Sequence, residues 1–76
     1  MRDFIETAAR GLVDLPEHVQ VRERRTGDVV YLELSVSPED RGKVIGKKGA
    51  TVEALRILLR AAGERRGVRV ELEVQG

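Results

Sequence analysis

The chain has 76 residues, 14 Lys or Arg against 13 Asp or Glu, no cysteine and a net charge of +1. This length predicts one small domain over residues 1–76, and the lack of cysteine excludes disulfides and thiolate metal sites. Neither a signal peptide nor an apolar run of ~20 residues is recognisable, so we expect a cytoplasmic protein without membrane association.

The first half of the sequence predicts a helix followed by a β-hairpin. Residues 3–14 carry a helical stripe of apolar side chains, interpreted as core: Phe4, Ile5, Ala8, Ala9, Leu12 and Val13. Residues 18–25 and 29–36 alternate between apolar and polar side chains, with turn-forming residues between them. Two such strands joined by a short turn are expected to pair antiparallel.

The second half predicts two helices and a third strand. A short helix is expected to start at Ser37 as the cap, with Pro38 in its first position, and to end at Gly46. A longer helix follows over residues 50–62, with Gly63 and Gly67 at its exit and a core face of Val52, Leu55, Leu58, Leu59 and Ala62. Residues 68–75 alternate, and the two-helix crossover predicts that this strand runs parallel to the second.

The resulting fold class is α+β, in the order α-β-β-α-α-β. Three helices pack on one face of a three-stranded mixed sheet.

Residues 46–49, Gly46-Lys47-Lys48-Gly49, form the most informative segment and are called the GxxG loop below. Every lysine of the chain lies at or just before it, at positions 43, 47 and 48. Adjacent like charges repel each other unless an anion is present, and helix N-termini with glycines favour bound phosphate. The alternative is an ordinary solvated turn between two helices, but the apolar pair Val44-Ile45 is unusual for one.

The distribution of charge also favours an anionic ligand. Residues 1–40 hold five basic and nine acidic side chains, whereas residues 41–76 hold nine basic and four acidic ones. Six basic residues lie between Arg41 and Arg60, against the single acid Glu53. The loop and the following helix therefore form a local positive region, although a solvated helix face is the simpler explanation for Arg56 and Arg60.

The order of the elements, with Val44-Ile45-Gly46-Lys47-Lys48-Gly49 between the two middle helices, resembles the KH RNA-binding domain in its type II (prokaryotic) form. The resemblance covers essentially the whole chain. The single-domain length and the segment over residues 40–46 are most similar to the KhpA (YlqC-like) family of small bacterial proteins.

This resemblance implies single-stranded RNA as the partner, with the GxxG loop clamping about four nucleotides by their backbone. The implied RNA-binding residues are Arg41, Gly42, Lys43, Val44, Ile45, Gly46, Lys47, Lys48, Gly49 and Arg56. Low sequence specificity and a role in RNA chaperoning or post-transcriptional control are expected, linked in this family to cell envelope growth and cell shape. Val44 is expected to serve the core more than the bases.

Other classes fit less well. Phe4 and Tyr31 are the only aromatic residues, so the base-stacking platforms of RRM and many OB domains are missing. Only three residues separate Gly42 from Gly46, one fewer than a P-loop needs. The lone His18 has no catalytic partner at a recognisable spacing. We expect no enzyme activity, no cofactor and no metal site.

A protein-interaction module is the alternative function. The long helix carries a second apolar stripe, away from its core face, which predicts a homodimer interface: Ala50, Ala54, Ile57, Leu58 and Ala61. Chance exposure is the other explanation of this stripe. The resemblance likewise implies self-association, or pairing with a larger KH-containing partner of the KhpB or Jag type. As such a scaffold the chain would bind little RNA.

Overall fold

The computed structural model describes residues 1–75 and confirms the predicted class and the order α-β-β-α-α-β. The elements are α1 (Arg2–Leu12), β1 (Gln20–Thr26), β2 (Val29–Ser35), α2 (Arg41–Ile45), α3 (Ala50–Arg65) and β3 (Arg69–Gln75). Short 3-10 turns precede β1, α2 and α3, at Pro16–His18, Pro38–Asp40 and Lys47–Gly49. No helix within residues 1–75 is long and apolar enough to cross a membrane.

The strands form one mixed sheet in the order β1-β2-β3. β1 runs antiparallel to β2, with Val21 opposite Leu34, and β3 runs parallel to β2, with Leu72 beside Leu32. A parallel return requires a crossover, which α2 and α3 supply. The GxxG loop lies in the middle of this crossover, so its position is set by how α2 and α3 pack on the sheet.

The core is one apolar cluster between the sheet and the three helices. Every second residue of β2 and β3 faces it, whereas β1 contributes only Val21. Burial of a side chain such as Leu32, Leu34 or Leu59 stabilises the fold by about 1.5–3 kcal/mol. The buried core residues are Ile5, Ala9, Val13, Val19, Val21, Val30, Leu32, Leu34, Val36, Val44, Val52, Leu55, Leu59, Val70, Leu72 and Val74.

Three residues that helical spacing assigned to the core are in fact exposed. Phe4 is 43% exposed, Leu12 38% and Leu58 54%. The sheet has only three strands, so each helix buries a narrow stripe, and Leu58 lies about 100° around α3 from the buried Leu59. The apolar pattern of α1 and α3 is therefore wider than the surface that the sheet covers.

The prediction that Gly63 ends the last helix was wrong, because α3 continues to Arg65. Gly63 is buried inside the helix, where a Cβ atom would lie 2.7 Å from the carbonyl oxygen of Val68 and 2.8 Å from Cγ2 of Val70. Glycine at this position allows α3 to approach β3 closely. The helix ends at Arg65, and Gly67, two residues later, has a φ of +70°, the left-handed conformation common just after helix C-termini.

Other boundaries shift by a few residues. α1 ends at Leu12, and β1 starts at Gln20 because Pro16–His18 forms a 3-10 turn. The predicted capping role of Ser37 was also wrong: its hydroxyl donates to Oε1 of Glu39 at 3.2 Å and caps no backbone N–H. The first turn after it is 3-10, and the α-helix itself begins at Arg41.

Candidate nucleic-acid interface

The GxxG loop is a tight connection that turns the chain from α2 into α3. α2 ends at Ile45, and Gly46 follows with a φ of +78°. The amide of Gly49 donates to the carbonyl oxygen of Gly46 at 3.1 Å, and Gly49 has a φ of +77°. Both glycines hold backbone conformations that other residues adopt only with strain, so the turn itself requires glycine at both positions.

The two glycines differ in their surroundings. A Cβ atom on Gly46 would lie 2.7 Å from Cβ and 2.8 Å from the backbone nitrogen of Thr51, so the first turn of α3 packs directly against it. A Cβ atom on Gly49 would meet nothing within 4 Å. Gly46 therefore serves packing between the helices, whereas Gly49 leaves open space at the surface, where a ligand can approach the backbone.

Lys47 and Lys48 are exposed, and neither has a carboxylate within 4.0 Å among residues 1–75. Lys48 has a φ of 55° and a ψ of 28°, the one non-glycine residue of the described chain with a positive φ. Over the same residues no side chain caps the N-terminus of α3. Two unneutralised ammonium groups thus stand beside a helix N-terminus, which favours an anion.

The helix before the loop carries the other residues of α2 that the family resemblance assigns to RNA binding, as one wall of a groove beside the loop. Arg41 and Gly42 are exposed, Ile45 is half-buried, and a Cβ atom on Gly42 would meet nothing within 4 Å. Val44 is fully buried in the core, so its side chain is not at the surface. The accessible wall is therefore made of Gly42 and Ile45, with Arg41 at its rim.

Lys43 is exposed, as Lys47 and Lys48 are, but unlike them it is paired with carboxylates. Its ammonium group forms a salt bridge with the Asp14 carboxylate and lies 3.9 Å from Oδ1 of Asp40. The hydrogen bond to Asp14 is the main cause that raises the pKa of Lys43 above its ordinary value. The charged contact is therefore present at neutral pH and is lost only as the pH rises through that raised pKa.

Arg56 lies further along α3, about 9 Å from Ala50 by the helical rise. Its Nε and Nη2 donate to the carbonyl oxygen of Leu72 at 3.3 and 3.2 Å, and its Nη1 is 3.9 Å from Oε2 of Glu53. This guanidinium therefore ties α3 to β3. Its part in RNA binding stays a prediction.

Sequence reasoning missed the role of Asp40. Asp40 is buried, and its carboxylate accepts hydrogen bonds from the backbone amides of Asp14 at 3.2 Å and Leu15 at 3.0 Å. These partners are 26 and 25 positions away in the sequence. No local pattern signals a contact over that separation.

The second apolar stripe of α3 lies at the surface. Ile57 is 56% exposed, and Leu58 lines an apolar depression of about 330 Å³ together with Met1, Phe4 and Ala62. The residues of the predicted dimer interface are all exposed: Ala50, Ala54, Ile57, Leu58 and Ala61.

The element order and the GxxG turn between α2 and α3 define a KH domain of the type II arrangement. The chain belongs to the KhpA/KhpB KH-domain family, whose model matches residues 2–74. It is 45% identical to the RNA-binding protein KhpA of Clostridium acetobutylicum, over 97% of this chain and 99% of that one. It is also 45% identical to the KhpA of Halalkalibacterium halodurans, over 97% of each chain, and 42% identical to that of Chlamydia pneumoniae, over 97% and 95%. No solved structure matches this chain significantly.

Proposed function

We propose that this chain binds single-stranded RNA and that the GxxG loop clamps its phosphate backbone. The observation that carries the proposal is the pair Lys47 and Lys48, exposed and without a neighbouring carboxylate, beside the open backbone of Gly49. Curated relatives over nearly the whole chain are named RNA-binding proteins, which supports RNA as the ligand.

In this proposal the phosphate approaches the loop from the side that Gly49 leaves open. The first amides of α3 and the two ammonium groups surround its oxygens, and the charge of a phosphate suits the positive end of a helix. In the left-handed conformation of Lys48, its side chain extends outward from the turn while its backbone stays close to Gly49. Arg41 adds charge at the rim of the groove.

The bases lie along the aliphatic wall formed by Gly42 and Ile45. The two aromatic residues of the chain belong to other elements: Phe4 lies on α1, and Tyr31 lies on β2, where its ring is 5.1 Å from the guanidinium carbon of Arg24. Without an aromatic platform, binding depends mainly on the backbone, which gives low sequence specificity. Such binding suits an RNA chaperone or post-transcriptional regulator in the cytoplasm.

The test is fluorescence anisotropy of a short labelled single-stranded RNA, titrated with the native chain and with Lys47→Asp/Lys48→Asp at two salt concentrations. Losing two charge-assisted contacts predicts binding weaker by roughly 100-fold or more. Arg65→Glu/Arg66→Glu is the matched control, because it makes the same change in net charge at the far end of α3. Equal binding by the native chain and the loop variant, with unchanged circular dichroism, would show that the loop is only a turn.

A second function, self-association through α3, is favoured by the exposed stripe around Ile57 and Leu58. The small residues Ala54 and Ala61 allow two helices to approach closely, and a symmetric pair would present two RNA grooves on one assembly. The same stripe is the surface we assign to a larger KH-containing partner of the KhpB or Jag type.

Light scattering after size exclusion, over a range of concentrations, tests this second function. We expect Ile57→Glu to yield a monomer under conditions where the native chain and the control Arg65→Glu are dimeric. A native mass that is monomeric at all concentrations, or one that Ile57→Glu leaves unchanged, contradicts α3 as the interface between copies.

A further inference from the structure

A charged network joins the end of α1 to the start of α2. The side chain of Asp40 is only 2% exposed and accepts the amides of Asp14 and Leu15. One turn later, the ammonium group of Lys43 contacts the Asp14 carboxylate and approaches Asp40. These residues are called the Asp14–Asp40–Lys43 network.

This network lies where α2 most needs support. α2 has five residues, too few for a stable isolated helix, and no side chain within residues 1–75 caps its start. Its position therefore depends on tertiary contacts. Val44 fixes one side of it in the core, and Asp40 and Lys43 fix its N-terminal end to the segment after α1.

The loop at the other end of α2 depends on the same anchoring. Gly46 directly follows α2, and its amide donates to the carbonyl oxygen of Gly42 at 2.9 Å. A change in the tilt of so short a helix moves Gly46 and the lysines after it. The contact between Gly46 and Thr51 holds only while α2 keeps its direction toward α3.

The direction of Lys43 separates it from the other two lysines. Lys43 and Ile45 are about 160° apart around α2, so the lysine leaves the helix on the flank opposite the aliphatic wall of the groove. Its charge is already matched by Asp14, whereas Lys47 and Lys48 have no such partner among residues 1–75. Lys43 thus has neither the direction nor the free charge of a phosphate ligand.

We infer that Lys43 is a positioning residue of the RNA groove, acting through Asp14 and Asp40, and that the acidic Asp14 therefore supports RNA binding. The inference rests on the proposed function. Simple electrostatics predicts that loss of the negative charge of Asp14 strengthens the binding of phosphate. The inference predicts the opposite, because the loss of this charge releases α2 and so weakens RNA binding.

The network is tested first without RNA, by amide hydrogen exchange of the native chain and its variants. Asp14→Asn and Lys43→Gln are each expected to speed exchange several-fold at the amides of Gly46 and Gly49, because α2 opens more often. Glu17→Gln is the matched control, since it removes a neighbouring exposed charge outside the network. Exchange as slow as in the native chain would overturn the inference, whether or not the chain binds RNA.

RNA affinity then distinguishes a positioning residue from a phosphate ligand. Asp14→Asn and Lys43→Gln are each expected to weaken binding several-fold, and together by no more than the larger single effect. The slope of log affinity against log salt stays unchanged, because no phosphate contact is removed.

A slope reduced by about 0.7 in Lys43→Gln, with tighter binding by Asp14→Asn, would make Lys43 a phosphate ligand and overturn the inference. A native chain that binds no RNA would refute the proposed function, while the exchange result would still decide the network.

Discussion

The two ends of α2 use the same kinds of residue in different ways. At the N-terminal end the buried Asp40 accepts two backbone amides, and Lys43 is paired with Asp14. At the C-terminal end Lys47 and Lys48 are exposed, with no carboxylate within 4.0 Å in residues 1–75. At one end the charges are paired within the chain, and at the other two unpaired ammonium groups lie at the surface, where we propose that phosphate binds.

This difference shows that neighbours, more than residue type, decide what a lysine does. A paired lysine contributes little further attraction to a phosphate, because its field is largely cancelled by the nearby carboxylate. Unpaired adjacent lysines repel each other and cost the free protein some stability, which an anionic ligand reverses. Substitutions at the two ends should therefore separate effects on folding from effects on binding.

The largest loss of stability is expected for Gly46→Ala. With a φ of 78° and a ψ of 173°, Gly46 holds a conformation open almost only to glycine, which costs a residue with a Cβ atom roughly 1–3 kcal/mol. The overlap with Thr51 adds roughly 1–3 kcal/mol. We expect the free energy of unfolding, measured by urea denaturation, to fall by about 3 kcal/mol. A loss below about 1 kcal/mol would mean that Thr51 moves away easily and that the helices are not packed through Gly46.

Asp40→Asn is expected to have the next largest effect, at the opposite end of the helix. The side-chain amide oxygen of Asn replaces one carboxylate acceptor, but one of the two part-buried backbone amides loses its acceptor, which costs about 2 kcal/mol. Urea denaturation measures this loss. The control is Glu39→Gln, an exposed neighbour whose change should cost under about 0.5 kcal/mol. Equal stabilities for the two variants would show that Asp40 does not anchor α2.

Gly49→Ala sharpens the comparison of the two glycines. Its φ of +77° is close to that of Gly46, but its ψ of 11° places it in the left-handed region that other residues enter at modest cost. A Cβ atom there also meets nothing within 4 Å. Only the backbone strain remains, so we expect the free energy of unfolding to fall by about 1 kcal/mol. RNA affinity should fall more than this stability loss explains, because the methyl group occupies the space through which phosphate approaches. A stability loss as large as that of Gly46→Ala would contradict the distinction between the two positions.

The fold was predictable because its signals are local and repeated. The alternation over residues 29–36 and 68–75 and the crossover between them were enough to set the sheet. The GxxG loop was also predictable, since its glycines and lysines are adjacent in the sequence and the conformation of the turn depends on them. The family resemblance rested on these same features.

The rest depends on which elements meet in three dimensions. Helical spacing assigned Phe4 and Leu58 to the core, but it does not say how wide a stripe of each helix the sheet covers. Both side chains are exposed. Gly63 is a helix breaker by propensity, yet it lies inside α3, because Val68 and Val70 approach too closely for a residue with a Cβ atom. The contact of Asp40 with Asp14 likewise joins segments that no local pattern relates, so the pairing of Lys43 with Asp14 was not predicted.

The smallest expected effect, and one of opposite sign, is that of Lys48→Gly. Lys48 holds a left-handed conformation that costs a residue with a Cβ atom free energy and costs glycine almost none, so we expect a gain of roughly 0.5–1 kcal/mol. Lys47→Gly is the matched control: Lys47 has no positive φ, so the added backbone freedom should cost roughly 0.5–1 kcal/mol instead. Both variants lose one ammonium group and should bind RNA several-fold more weakly in the anisotropy assay.

Higher stability with weaker binding in Lys48→Gly would mean that the strained lysine is retained for the ligand, because folding alone favours glycine there. A loss of stability equal to that of Lys47→Gly would show that the left-handed conformation carries no strain, and the contrast between the two ends of α2 would then rest on charge alone.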